Sequence, residues 1–235
     1  MRALILNSGL GSRLGAITEN HPKCMTKLSD RETILSRQLR MLQKAEVEHI
    51  VITTGYFDRV LVDYCDTLDA PGCIEFVKNP AYSETNYIYS IYCARQKLED
   101  DILLLHGDLV FEPETLNLIV NSDVSCMAAV PHKALPEKDF KAVVHEGRIA
   151  KIGVEFFENA VAVQPLYLLK KKDWKIWLES ICHFCETGKR NCYAEDAFNK
   201  VSDKCFLYPA DIGDLLCQEV DDYADLKNVR NMLHS

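Results

Sequence analysis

Short apolar runs recur along the chain, with amphipathic stretches between them. Residues 3–6, 50–54, 74–77, 102–105 and 125–130 are nearly continuous in apolar character, the pattern of strands buried on both faces. The segments 34–45, 59–68, 86–98 and 113–121 space their apolar residues for one helical face, and Pro113 suits a first helical turn. Strand alternating with helix predicts a mainly parallel sheet with helices on both faces. From about Phe140 the texture changes: "FKAVVHEGRIAKIGV" alternates on either side of Glu146-Gly147 and predicts a hairpin. Further strands are expected over 161–168, 205–208 and 218–222, and helices over 171–186, 194–201 and 223–233. No repeat, low-complexity tract or linker-like stretch interrupts this order. Residues 1–235 therefore read as one three-layer α/β/α domain with a mixed, mainly parallel central sheet.

Composition narrows the reading. A chain of 235 residues that is 48% hydrophobic can bury one sizeable core. Its 27 Lys and Arg against 35 Asp and Glu give a formal charge of -8, which disfavours long-range attraction to nucleic acid or anionic membranes. A polyanionic ligand must then be held locally, by a few cations, backbone amides or a metal. No apolar run reaches the roughly 18 residues of a membrane span, and "MRALIL" reads as a strand start rather than an export signal, so a cytoplasmic protein is expected. The ten cysteines include Cys65, Cys93, Cys126 and Cys217, each among apolar residues, and read as reduced core thiols. Cys182 and Cys185 have metal-type spacing with Cys192 nearby, but a zinc site needs a second such pair, and the two are expected on the inner face of a helix.

In open sheets ligands bind at the carboxyl ends of strands. The first strand runs into "LNSGLGSRLG", whose glycines let backbone approach a ligand, whose amides can form an anion-binding nest, and which offers Ser12 and Arg13 to phosphate oxygens. Gly9, Gly11 and Gly15 are spaced G-x-G-x-x-x-G, which is neither a P-loop nor the dinucleotide fingerprint, and the second strand ends Thr53-Thr54-Gly55 without an acid for a ribose. A simple tight turn is the alternative; two cations, Arg13 and the lysine of Pro22-Lys23, favour phosphate. The strand "LLLHGD" ends in Asp108, suited either to a hard cation such as Mg2+ or to capping the next turn. In "QEVDD", alternation puts Glu219 and Asp221 on one side, where both can face a cation; Asp221 and Asp222 can equally begin a helix.

Taken together and in order, "LNSGLGSRL", "HPK", "HGD" and "EVD" resemble the nucleotidyltransferase superfamily that makes sugar nucleotides and CDP-alcohols. "NPAYSETNYIYSIY" and "EVDDYADLKNV" are most similar to cytidylyltransferases acting on phosphocholine, 2-aminoethylphosphonate or phosphoglutamine. Many sugar-specific members begin "LAAG" or "LAGG", and Asn7-Ser8-Gly9 stands here instead. The resemblance implies a Rossmann-like domain of the nucleotide-diphospho-sugar transferase type, with residues 1–130 binding nucleotide and 131–235 binding acceptor. It implies CMP transfer from CTP to an acceptor phosphate or phosphonate, with release of pyrophosphate, in a surface-glycan or lipid decoration route. Leu6, Asn7, Ser8, Gly9, Leu10, Gly11 and Ser12 would form the nucleotide loop, Arg13 would hold the β- and γ-phosphates, and Lys23 would reach the α-phosphate. Gly107 would contact the nucleotide, and Asp108 after it would bind Mg2+ with Asp221 and Glu219. Asn79, Thr85, Asn86 and Ser90 would surround cytosine, although Asn86 can also cap a helix. An acceptor amine or quaternary ammonium would meet Tyr193, Glu195 and Asp196, with Tyr82 and Tyr87, while Lys141 would take the acceptor's phosphate or phosphonate. Core packing and a solvated helix start compete for these aromatics and acids. The implied partners are CTP and a small acceptor, without nucleic acid or membrane; a homodimer is left open. Two other readings stand beside this one: a sugar-1-phosphate nucleotidyltransferase using another nucleotide, which shares every phosphate-handling residue, and a nucleotide-binding module without catalysis, against which the set of Arg13, Lys23 and Asp108 argues.

Overall fold

The computed structural model describes residues 1–9, 11–68 and 72–233, without the side chain of Ser12. Four parallel strands, β1 (Arg2–Leu6), β2 (His49–Thr54), β3 (Cys73–Lys78) and β4 (Ile102–His106), lie side by side in the order β3-β2-β1-β4. Beyond β4 the sheet becomes mixed. β9 (Ala160–Leu169) runs antiparallel between β4 and β6 (Cys126–Val130), and β10 (Tyr208–Asp211) closes that edge parallel to β6. The hairpin of β7 (Lys141–His145) and β8 (Arg148–Gly153) hangs on β9, completing nine strands among the described residues. A separate ribbon pairs β5 (Leu109–Phe111) with β11 (Cys217–Glu219). This is the mixed, mainly parallel sheet with flanking helices that the sequence predicts.

Strand periodicity sorts side chains into two cores. Ala3, Ile5, Leu103 and Leu105 face α1 (Ile34–Lys44), α2 (Asp58–Asp66) and α4 (Pro113–Val120). Leu4, Leu6, Ile102 and Leu104 face α3 (Tyr87–Ala94), α5 (Lys171–Glu186) and α6 (Ala194–Phe198). A third, smaller core places Leu226 and Val229 of α7 (Tyr223–Leu233) against Val110 of β5, with Leu216 and Val220 on either side of β11. Local chemistry sets several boundaries. Thr33 and Ser36 cap α1 reciprocally, each side chain accepting the other's backbone N–H. The β7–β8 turn holds Glu146 at φ 50° and Gly147 at φ 75°, the left-handed pair that a tight hairpin requires. Trp174 and Trp177 anchor α5 and donate their indole N–H groups to Leu98 O and Ala194 O, so truncating either to Ala should cost about 3–5 kcal/mol.

Some elements differ from expectation. β5 was not expected at all: three residues carry little strand signal, and pairing with the distant β11 makes them a strand. The strand expected over 205–208 lies at Tyr208–Asp211, because Cys205 and Leu207 turn into the core and the chain meets β6 only at Tyr208. α3 begins at Tyr87 with Asn86 as its cap, the Asn86 side-chain oxygen accepting the Tyr87 N–H. All ten cysteines are free, and burial pushes the Cys185 thiol up to about 12. Among the described residues neither Cys182 nor Cys185 joins a metal-type cluster, and no helix is long and apolar enough to cross a membrane.

The chain passes from β1 to β2 and β3 on one side, then returns to add β4 on the other. That reversal opens a crevice at the carboxyl ends of β1 and β4, where such sheets bind ligands.

Candidate active site

A cleft of ≈ 900 Å³ opens at this crevice, and Leu6 and His106, register partners at the ends of β1 and β4, form its floor. The glycine loop enters from β1. Gly11, at φ 67°, lets Lys23 pass close by: a Cβ there would lie 3.1 Å from the Lys23 Cβ. Thr18 closes the loop by donating to Gly11 O at 2.8 Å. Lys23 opens a single 3₁₀ turn, Lys23–Met25, behind Pro22, and buried Cys24 anchors that turn in the core. The lysine is thereby aimed into the cleft. Its Nζ donates to Asp108 Oδ2 and Asp221 Oδ1, both at 2.6 Å. Arg13 donates to the other oxygen of Asp221 at 2.8 Å while its side chain stays 71% exposed, a pair that adds little stability and leaves the guanidinium available.

These charges set one another. Burial opposes the charged form of Asp108, but Lys23 and His106 outweigh it and hold the carboxyl below its ordinary range. Burial likewise opposes the Lys23 ammonium, and Asp108 with Asp221 outweighs it and raises the group. His106 Nδ1 lies 2.8 Å from Glu219 Oε1. Burial disfavours a charged imidazole, yet the Glu219 bond and the charges of Glu219, Asp108 and Glu195 lift it to about 9. Glu219 is itself raised, by burial and the nearby Asp108 charge, which together exceed the help from His106. On the rim, burial and the charges of Asp221 and Asp225 push Asp139 up.

The expected metal set is thus divided. His106, Asp108 and Glu219 offer donor atoms within 4.8 Å of one another, while Asp221 holds Lys23 and Arg13. The ammonium between Asp108 and Asp221 is a cation in a place shaped for one, and the carboxylate oxygens around it suit a hard divalent ion such as Mg2+, with His106 adding a nitrogen. His106 was not expected from the sequence, although it stands in the same "HGD". Gln38 was also unexpected. From α1, 1% exposed, its Nε2 donates to His106 O at 2.9 Å and Leu109 O at 2.8 Å, pinning the turn that carries Asp108. Gly107 is required there because a Cβ would lie 1.7 Å from Asn7 Oδ1. Asn7 Nδ2, Ser8 Oγ and His106 Nε2 are buried without protein partners among the described residues, the kind of orphaned group that marks a functional site.

Other expected residues divide between lining and scaffolding. Leu6, Asn7, Ser8, Gly9 and Gly11 line the cleft; Leu10 and the Ser12 side chain lie outside the described part. Asn79, Thr85, Asn86 and Ser90 line one wall. Asn79 donates to Thr85 Oγ1 and Ser90 Oγ, each at 3.0 Å, and accepts from Ala81 N at 2.9 Å, so its amide is already engaged in shaping that wall. Tyr193, also lining the cleft, lies tilted against Tyr87 and edge-on to Phe140, with ring centroids 5.9 and 5.0 Å away. Glu195 is 1% exposed and sits behind this wall, accepting from the hydroxyls of Tyr87 and Tyr167. Asp196 caps α6 by accepting from Tyr193 N at 3.0 Å. Lys141 is the clear departure. It is 0% exposed, donates to Pro136 O at 2.6 Å and Glu137 O at 3.3 Å, and lies 4.2 Å from the Phe157 ring centre. Its ammonium is engaged under the wall and does not line the cleft.

Comparisons with known proteins agree with this architecture. Residues 3–176 match the MobA-like NTP transferase domain. CMP-5'-(3-aminopropyl)phosphonate synthase of Streptomyces rubellomurinus is 36% identical over 130 residues, 55% of this chain and 20% of that protein. CTP:phosphoglutamine cytidylyltransferase of Campylobacter jejuni is 27% identical over 128 residues, 52% of this chain and 49% of that protein, so the chain spans at most about half the length of these relatives. The fold superposes on the inositol-1-phosphate CTP transferase of T. maritima with a TM-score of 0.79 at 24% identity, over 99% of this chain and 94% of that one. It superposes on the CTP:phosphocholine cytidylyltransferase of Streptococcus pneumoniae with a TM-score of 0.75 at 19% identity, over 99% and 98%. With three quarters of its length matched and the glycine loop, lysine and aspartates gathered at one strand switch point, the chain belongs to the MobA-like NTP transferase family of nucleotidyltransferases.

Proposed function

We propose that this protein is a cytidylyltransferase that moves CMP from CTP onto the phosphate or phosphonate oxygen of a small zwitterionic acceptor carrying an amine or a quaternary ammonium. An acceptor oxygen forms a bond to the α-phosphorus, the bond from that phosphorus to the bridging oxygen of the β-phosphate breaks, and pyrophosphate leaves with its electron pair. An acceptor phosphate is anionic near neutral pH, so the protein need not remove a proton; it must hold two polyanions together and stabilise developing charge. The observation that carries this reading is the Lys23 ammonium held between Asp108 and Asp221, with Arg13 on the same Asp221, at the mouth of a glycine loop. Lys23 and Arg13 can exchange carboxylate for phosphate oxygens. Asp108, with Glu219 and Asp221 beside it, would hold Mg2+, whose contribution is to neutralise phosphate charge. Tyr87, Tyr193 and Phe140 give the acceptor side an aromatic wall, and Asp139, Asp222 and Asp225 line the same cleft, a combination suited to an ammonium.

The test is pyrophosphate release with Mg2+ for CTP, UTP, GTP, dTTP and ATP against 2-aminoethylphosphonate, 3-aminopropylphosphonate, phosphocholine, phosphoglutamine, inositol phosphate and common sugar-1-phosphates. Release with CTP and one of the zwitterionic acceptors, abolished by EDTA, is expected. Release only with a sugar phosphate and another nucleotide would replace this reading by a sugar nucleotidyltransferase, and CTP binding without release would replace it by a non-catalytic module.

A further inference from the structure

Among the described residues, the side chains lining the cleft include three permanent cations: Arg13, Lys23 and Lys138. The first two are bound to Asp108 and Asp221 on the nucleotide side. Lys138 comes from the other half of the chain, is exposed, and forms no ion pair among the described residues, although Glu137 and Asp139 flank it. The segment that presents it is fixed at both ends. At its start, the buried Lys141 ammonium holds Pro136 O and Glu137 O and rests on the Phe157 ring. At its end, Phe140 is buried with its ring edge-on to Tyr193 at 5.0 Å. A lysine is almost never fully buried without partners, and the partners Lys141 has are the carbonyls of this one loop. An exposed cation without an ion-pair partner, on a fastened loop that lines the cleft, is available to an anionic ligand there.

We infer that Lys138 receives the phosphate or phosphonate head of the acceptor, and that Lys141 is a positioning residue that fastens the 136–140 segment carrying it. This rests on the proposed transfer to a small anionic acceptor and assigns that acceptor's anion a place. Lys138 would supply a charge-assisted hydrogen bond to the acceptor, while Arg13 and Lys23 serve the triphosphate, so its loss is expected to act chiefly on one substrate. Removing it should raise acceptor KM by about 10- to 100-fold, with CTP KM unchanged. Lys141→Met should shift acceptor KM in the same direction and leave CTP KM in place, a split that general destabilisation would not produce.

Two measurements decide it. The first is steady-state kinetics of wild type, Lys138→Ala and Lys141→Met with CTP and whichever acceptor of the panel wild type uses. Lys138 is exposed, so Lys138→Ala will fold even should Lys141→Met not. The second is lysine acylation read by mass spectrometry on wild-type protein, with and without inorganic phosphate and 2-aminoethylphosphonate, using exposed Lys172 on α5 as the control. Selective protection of Lys138 together with the acceptor-specific KM shift is the expected result. An unchanged acceptor KM in Lys138→Ala overturns the inference while the cytidylyltransferase reading stands. If wild type uses no acceptor, that reading fails, and the labelling alone decides: protection of Lys138 sustains an anion site there, and equal labelling overturns it.

Discussion

The two sides of the cleft are built differently. On the side proposed for the nucleotide, functional groups leave the ends of adjacent parallel strands: the glycine loop after β1 and the His106-Gly107-Asp108 turn after β4 are set side by side by the Leu6–His106 register. On the side proposed for the acceptor, the wall is assembled from a loop at 136–140, the start of α3, and Tyr193 before α6, which no single strand positions. The first side depends on backbone register and glycine clearance. The second depends on side chains fastened from behind, by Glu195 under Tyr87 and by Lys141 under the loop. In the proposed function, chemistry with fixed geometry falls to the strand-end part, and substrate choice to the part that loop sequence can change.

This contrast makes graded predictions. The largest effect belongs to the nucleotide side: Lys23→Ala and Asp108→Ala should each lose about 100- to 1000-fold in turnover while remaining folded. Pyrophosphate release with far-UV circular dichroism checks this, and near-wild-type turnover in either would remove the basis of the assignment. Gln38→Leu should follow, because it frees the carbonyls of His106 and Leu109 and loosens the Asp108 turn. A loss of about 1–3 kcal/mol per buried unpaired carbonyl is expected in urea unfolding, with weaker Mn2+ binding by calorimetry; unaltered Mn2+ affinity would show that the turn holds itself. Glu195→Gln should cost about 1–3 kcal/mol, since an amide cannot accept from both tyrosine hydroxyls as a carboxylate does, and should move acceptor KM more than CTP KM. A larger change in CTP KM would mean that the two sides are not separable. Asp196→Ala should be the mildest, about 1 kcal/mol of stability from the lost α6 cap, with turnover unchanged; a kinetic defect at full stability would return Asp196 to the acceptor site.

The fold was legible because burial on both faces leaves a local signature. Each parallel strand is a short apolar run and each crossover an amphipathic helix, so order and layer can be read from the chain. β5 was not legible, since its three residues become a strand only by pairing with β11, about a hundred residues later. In the site, Gly11, Arg13, Lys23 and Asp108 were legible because tight turns and strand-end charges are chemically conspicuous. His106 carries no such signal within "HGD", because nothing local says that its ring would meet Glu219 of β11. Gln38 carries no signal at all as an ordinary polar residue on a helix.

Lys141 shows the limit most plainly. By residue type it is a cation at the start of the hairpin, and the sequence alone made it the acceptor's counter-ion. The fold buries its side chain, and its ammonium donates to the carbonyls of residues 136 and 137, so in this segment the cation that lines the cleft is Lys138, three residues away. The sequence by itself determined the strand and helix order, the phosphate-suited loop and which residues could carry charge, because these follow from local periodicity and residue chemistry. Only the tertiary structure decided which charges face the ligand and which face each other, because pairing and burial depend on contacts between segments far apart in the chain.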